Sequence, residues 1–146
     1  MAKRGKGEDE LVLMPLGGMG EIGMNAYAYG LGTEGRRKWI LVDLGVKFGD
    51  EFDPGIDVIL PDVTFLESER KNLLGLFITH GHEDHLGAVP WLWPRLRCPV
   101  YCTPFAAELL KRKLAEAGLL GEVPLRVIPL GGRARRWVTS MLNMSP

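Results

Sequence analysis

All three histidines of this chain fall in one hexapeptide, His80-Gly81-His82-Glu83-Asp84-His85. It directly follows the compact apolar run 74–79 (LGLFIT), which reads as a buried strand. In an extended segment side chains alternate, so His80 and His82 project to the same side. Two imidazoles placed so can share one metal. Asp84 and His85 come where the chain turns into the next segment, and they offer an oxygen and a nitrogen to a second metal a few ångströms away. Imidazole together with carboxylate suits zinc or manganese. Two such ions roughly 3.5–4 Å apart can hold a bridging hydroxide and polarise the bond it attacks. The bland alternative is a histidine-rich surface loop, which leaves the clustering of every histidine behind one strand unexplained. Asp43 ends the apolar stretch 39–44 (WILVDL). A carboxylate there can accept the second ring N–H of a metal-bound histidine and fix its tautomer, or it can simply form the turn before Gly45.

A second motif points elsewhere. In 17–23 (GGMGEIG), Gly18, Gly20 and Gly23 match G-x-G-x-x-G, the dinucleotide fingerprint, and Asp43 stands about 20 residues further on, where that fold places its ribose-binding acid. The fingerprint also requires a helix of ten or more residues after the third glycine. Segment 24–38 contains Gly30, Gly32 and Gly35 and alternates with period two, so it reads as strand and no dinucleotide is expected. The glycines read instead as a tight inter-strand turn beside something that needs access to the backbone.

The rest of the chain alternates short elements. Strands are expected over 11–16, 25–31 and 39–44, the last two forming a hairpin around 32–35. A proline-bounded loop with Asp53, Asp57 and Asp62 precedes a short amphipathic helix over 67–73. After the strand 74–79, helical turns over 87–96 are interrupted by Pro90 and Pro94. A strand over 100–102 leads to a helix with Thr103 as N-cap, Pro104 in its first turn and Gly118 as its stop. Phe105, Leu109, Leu110, Leu114 and Ala117 fall near one face of that helix. A strand over 123–129 follows. Strands and helices alternate in the second half, so the class is α/β or α+β.

Charge and composition narrow the partners. Formal net charge is zero, so nothing in the bulk charge attracts nucleic acid. Arg95, Arg97 and the run Lys111-Arg112-Lys113 can contact phosphates locally, or can form a solvated face. No apolar run approaches the roughly 18 residues that cross a membrane. The start, MAKRGKGEDE, reads as a solvated tail rather than a signal peptide. The cytoplasm is the expected compartment. Cys98 and Cys102 fit it as reduced, half-buried thiols with no second pair to make a zinc knuckle.

The hexapeptide fits H-x-H-x-D-H, the motif of the metallo-β-lactamase superfamily, and Asp43 matches that superfamily's first-motif aspartate. Three further stretches, LGGMGEIGMN (16–25), VDLGVKFGDEFDPGIDVILPD (42–62) and FITHGHEDHLGAVPWL (77–92), resemble the ribonuclease J family of the β-CASP nuclease branch. The resemblance runs from about residue 11 to residue 132. It implies an α+β fold, the N-terminal half of a four-layer αββα sandwich. It places His80 and His82 on a first divalent ion and Asp84 and His85 on a second, zinc before manganese. Asp84 also handles the proton of the attacking water, with Asp43 behind the histidines. RNA is the implied substrate, cut internally and from the 5′ end in RNA decay and rRNA maturation, by dimers or tetramers. A glycine turn that exposes backbone N–H groups gives Gly18 and Gly20 a substrate-binding role. The alternatives are another hydrolase of the superfamily, such as a β-lactamase or thioester hydrolase, and a non-catalytic fragment that binds metal, RNA or a partner chain.

The family draws further ligands, a histidine, a bridging aspartate and a second histidine, from later motifs. No histidine follows His85 in this chain. The expected organisation is a flexible tail over 1–10, the N-terminal part of a metallo-β-lactamase domain over 11–132, and a divergent end over 133–146, with the β-CASP and later domains absent. A truncated chain of this kind is expected to be inactive and poorly folded alone, to bind its two metals incompletely, and to leave one sheet face uncovered and sticky.

Overall fold

A computed structural model describes residues 7–131. Three stretches with period-two burial build one side of the sheet as an antiparallel meander: β1 (Glu10–Gly17), β2 (Ala26–Gly32) and β3 (Lys38–Val42). Val12, Met14 and Leu16 of β1 point to the core, as do Ala26 and Ala28 of β2 and Trp39 and Leu41 of β3. Beyond β3 the pairing becomes parallel, through β6 (Leu73–Ile78), β7 (Val100–Cys102) and β8 (Leu125–Val127). Among the described residues the sheet runs β1-β2-β3-β6-β7-β8. Parallel neighbours need crossovers. The first carries the small hairpin of β4 (Lys47–Phe48) and β5 (Val58–Ile59), then α1 (Thr64–Ser68). The second carries α2 (Glu83–Leu86) and α3 (Val89–Leu96), and the third α4 (Pro104–Glu116).

The helices cover one face of the sheet. Leu41, Leu76 and Val100 meet Leu66, Leu92, Leu96, Leu110 and Leu114 in a single core. Burying each such leucine contributes about 1.5–3 kcal/mol. On the opposite face Leu11 pairs across from Leu31 and Leu13 from Tyr29. There Leu11 is 73% and Leu13 53% exposed.

The elements differ from the sequence expectations at several ends. β3 stops at Val42 rather than 44, because Asp43 turns left-handed at φ 63°. The helix expected over 67–73 begins earlier, at Thr64, whose N–H donates to Asp62 Oδ1 at 2.9 Å. It ends in a 3-10 turn at Asn72 because Leu73 already belongs to β6, opposite Trp39. The turns expected over 87–96 form α3 alone, with Pro90 in its first turn and Pro94 inside it, and α2 over Glu83–Leu86 is a further turn that the sequence reading did not separate from the histidine motif. Thr103 caps α4, accepting from the Ala106 N–H at 3.5 Å, and Gly118 follows at φ 72°. The buried face of α4 is Ala106, Ala107, Leu110 and Leu114, whereas Phe105 is 72% exposed and Ala117 is also exposed. Leu109 and Phe105 flank the site instead: a Cβ on Gly81 would come within 2.5 and 3.4 Å of them. β8 is shorter than 123–129. Cys98 and Cys102 are fully rather than half buried, and burial pushes their thiols up to about 12 and about 11.

Gly23 is followed by β2 and not by a helix, so the dinucleotide architecture is absent from the described residues. Of the tail expected over 1–10, residues 1–6 lie outside the described residues, and β1 already opens at Glu10, which holds Arg37 at 2.6 Å. The divergent segment 133–146 lies outside the described residues.

Candidate metal centre

Two adjacent parallel strands end side by side: β3 runs into Asp43 and β6 into Thr79 and His80. Ligand sites of such sheets form outside the carboxyl ends of the strands. Asp43 is 4% exposed and sits in the left-handed region, where an aspartate costs of order 1–3 kcal/mol. Its N–H donates to the Phe77 carbonyl at 2.8 Å. Its carboxylate accepts from the Thr79 N–H at 2.8 Å, from the Thr79 hydroxyl at 2.9–3.0 Å, and from His85 Nδ1 at 2.7 Å.

These contacts settle two tautomers. An ionised carboxylate only accepts, so His85 carries its hydrogen on Nδ1 and presents a lone pair on Nε2. The Thr79 hydroxyl has one hydrogen, which the carboxylate takes. His80 Nδ1, 3.0 Å from the same hydroxyl, is therefore the donor of that pair, and its Nε2 is also left with a lone pair. One buried carboxylate thus orients both rings, one directly and one through Thr79.

His82 is the last extended residue before α2 (φ −76°, ψ 151°), and Asp84 and His85 lie in the first turns that follow. The His80 ring lies 4.7 Å from that of His82 and 3.9 Å from that of His85, and Asp84 Oδ2 is 3.4 Å from His85 Nε2. The four donors named from the sequence therefore converge. They do not close into a cage: among the described residues no group of three or more His, Cys, Asp or Glu stands ready to hold an ion. An amide fills the gap. Asn25 Nδ2 is 3.1 Å from the Asp84 carbonyl, 3.5 Å from Asp84 Oδ2 and 3.3 Å from His85 Nε2. In donor chemistry the cluster fits a divalent ion, with two imidazole lone pairs preset by hydrogen bonds on the far nitrogens and a carboxylate beside them.

The backbone around α2 is fixed by its neighbours. Leu44 and Val46 donate to the carbonyls of His85 and Glu83 at 2.8 and 3.0 Å, and Ala88 donates back to Leu44 at 3.0 Å. Asn25 donates to the Asp84 carbonyl at 3.0 Å and accepts from Gly45 at 3.0 Å. Gly45 passes so close to Asp84 that a Cβ there would overlap its carbonyl.

Sequence reasoning missed Thr79 and Asn25. Thr79 directly precedes His80, and Asn25 closes the glycine stretch, so both lay inside quoted motifs. Gly18 (φ 82°) and Gly20 (φ 71°) sit in the β1–β2 loop. The Gly18 N–H is already taken by Glu21 Oε1 at 3.2 Å. The candidate phosphate contacts are mostly paired with acids: Arg95 with Glu67 at 2.5 Å, Lys111 with Glu108 at 2.7 Å, and Lys113 with Glu83. Arg97 lies over the Trp93 ring at 6.0 Å. No helix of the described residues is long and apolar enough to cross a membrane.

The family model of the metallo-β-lactamase superfamily matches residues 23–135. The chain is 49% identical over 126 residues to ribonuclease J of Sinorhizobium meliloti, covering 86% of this chain and 22% of the relative. It is 40% identical over 114 residues to ribonuclease J 1 of Streptococcus pyogenes, covering 78% and 20%. With ribonuclease J of Synechocystis it shares 36% over 119 residues, covering 81% and 18%. The chain spans about a fifth of the length of the curated relatives it matches.

Proposed function

The chain belongs to the metallo-β-lactamase superfamily, and on that premise we propose that it forms the N-terminal part of a metal-dependent ribonuclease of the ribonuclease J type. His80 and His82 would hold one divalent ion and Asp84 and His85 another, with zinc preferred over manganese. Metal bound by these residues would supply activation of a water and polarisation of the phosphodiester it attacks. Asp43 keeps the hydrogen on His85 Nδ1 and, through Thr79, on His80 Nδ1. Asp84, 3.4 Å from His85 Nε2, would take the proton of the attacking water. RNA as substrate, cut internally and from the 5′ end, a cytoplasmic location and homo-oligomeric assembly belong to the same proposal. So does a backbone contact to substrate at the Gly18–Gly20 turn, where Gly20 has open space around it.

The observation that carries this reading is the single buried carboxylate that orients two imidazoles of one H-x-H-x-D-H segment. A solvated histidine loop has no use for it. The 146 residues hold no histidine outside 80–85, so the later donors the family uses are not among them. By themselves these residues are therefore proposed not to turn over RNA. RNA degradation by the purified chain, abolished by His82→Ala, would refute that part.

A chimera tests the function. Residues 11–131 replace the matching segment of the Sinorhizobium meliloti ribonuclease J, to which they are similar. The chimera should degrade RNA and leave nitrocefin intact, and His82→Ala in it should stop RNA degradation. A folded chimera that cleaves nitrocefin but not RNA would favour another hydrolase of the superfamily.

A further inference from the structure

The two ends of the GGMGEIGMN stretch meet beside the site, Gly18 against Asn25. We propose that Asn25 is a positioning residue for the Asp84–His85 pair, and that residue 18 is a glycine because the relay holding Asn25 needs its space. The inference rests on the metal site proposed above.

The Asn25 side chain is gripped at both ends. Its Oδ1 accepts from the Tyr27 hydroxyl at 3.3 Å. Its Nδ2 shares two hydrogens among the Asp84 carbonyl, Asp84 Oδ2 and His85 Nε2. Because the Asp84 oxygens only accept, the NH₂ faces the site and the amide oxygen faces the Tyr27 hydroxyl, which donates to it. His85 Nε2 is an acceptor here, since Asp43 holds the hydrogen on Nδ1. The amide thus holds the Asp84 carbonyl and carboxylate, and without metal it also covers the one lone pair of His85 Nε2, the position an ion would take, so on metal binding it keeps Asp84 and yields His85. The Asn25 main chain adds its bonds to Asp84 and Gly45 at 3.0 Å each, so the residue cannot drift from the first turn of α2.

Gly18 closes over the other end. A Cβ there would lie 2.5 Å from the Tyr27 hydroxyl and 2.6 Å from Asn25 Oδ1. The relay therefore fills the position a side chain would take. Gly20 and Gly35 have comparable left-handed φ, 71° and 77°, with nothing within 4 Å of an added Cβ. Conformation alone does not distinguish Gly18 from them; the Asn25–Tyr27 pair does.

The test compares Asn25→Ala, Tyr27→Phe and Gly18→Ala, with Gly35→Ala as the control for left-handed strain. Two readouts are taken on the full 146-residue chain: the ring ¹⁵N resonances of the three histidines without metal, and cobalt(II) affinity by competition with a chromophoric chelator. Asn25→Ala should move the His85 Nε2 resonance, whose lone pair loses its donor, and weaken cobalt binding at least tenfold through Asp84, whose carbonyl and carboxylate lose their amide partner. Tyr27→Phe, which removes one neutral hydrogen bond, should do the same by roughly two- to tenfold. Gly18→Ala should follow Asn25→Ala, and Gly35→Ala should change neither readout. The inference is overturned if Asn25→Ala and Tyr27→Phe leave both readouts at the parent values, whatever their melting temperatures, or if Gly35→Ala matches Gly18→Ala. Should Gly18→Ala fail to fold, the conservative Tyr27→Phe decides. If the parent binds no cobalt, the metal reading falls, and the His85 resonance alone decides the relay.

Discussion

Replacing Asp43 by asparagine changes the hydrogen-bonding chemistry of the site's central group and almost none of its volume. The carboxylate accepts from three donors, the Thr79 N–H, the Thr79 hydroxyl and His85 Nδ1. An amide has one acceptor oxygen and a donor NH₂, which must face either His85 or Thr79. Facing His85, it forces the ring into the other tautomer, with the hydrogen on Nε2 and no lone pair toward Asp84. Facing Thr79, it meets a backbone N–H that cannot rotate away. The second arrangement strands a donor at a residue only 4% exposed, and the first turns the new His85 Nε2–H against the Asn25 NH₂ 3.3 Å away. A buried group left unpaired costs about 1–3 kcal/mol. With a urea slope of about 1–3 kcal/mol per molar, the unfolding midpoint should fall by about 1 M. Cobalt affinity should fall about 10- to 100-fold, as for other partners behind a metal ligand. The assay pairs a urea titration with the ring ¹⁵N spectrum. A folded Asp43→Asn chain that keeps the His85 Nδ1–H tautomer and parental cobalt affinity would refute the assignment of Asp43 as the group that orients the rings.

Thr79→Val, nearly isosteric, should release His80 while leaving the His85 tautomer unchanged. The ¹⁵N spectrum should show His80 alone moving, with cobalt affinity down about tenfold. Gly45→Ala, whose Cβ would overlap the Asp84 carbonyl, should destabilise by about 1–3 kcal/mol in a urea titration. Cys98 and Cys102 should resist a thiol reagent at pH 8 in the folded chain and react in urea. Their pKa values are raised by burial from 9.0 to about 12 and about 11. Below pH 9 both folded and unfolded chains keep these protons, so this contribution is full. Above it the unfolded chain ionises first, and stability should fall as pH rises from 9 toward 11–12. A flat stability profile over that window would contradict the assigned burial.

Much of the site was legible because its chemistry is carried by residue types packed into six positions. Three histidines and an aspartate behind an apolar strand announce a donor cluster before any fold is known. Asp43 was legible as a polar residue ending an apolar strand, although its left-handed turn was not. Thr79 and Asn25 stayed hidden because their roles depend on tertiary contacts: Asp43 meets Thr79 across 36 positions and Asn25 meets Asp84 across 59. A threonine after a strand or an asparagine after a glycine turn has many ordinary uses. The strands of the main sheet were read to within a few residues because their apolar patterns are local, whereas the two-residue strands β4 and β5, too short to carry a pattern, fell in stretches read as loop. Face assignment on α4 was less secure. Helical period groups Phe105 with Leu109, but which side of the group turns inward is decided by the core that the sheet and the other helices build. That core therefore took Ala106, Ala107, Leu110 and Leu114.

The central claim is that residues 80–85 hold divalent metal as part of a larger site. Elemental analysis of the purified 146-residue chain after dialysis against a trace of zinc tests it most directly, beside a His82→Ala/His85→Ala double variant. The expected result is zinc retained weakly by the parent, short of two per chain, and lost from the variant while its fold persists. Equal zinc in parent and variant, or none in the parent, would contradict the claim that these histidines are ligands. Two tightly held ions would contradict the claim that this chain supplies only part of the site.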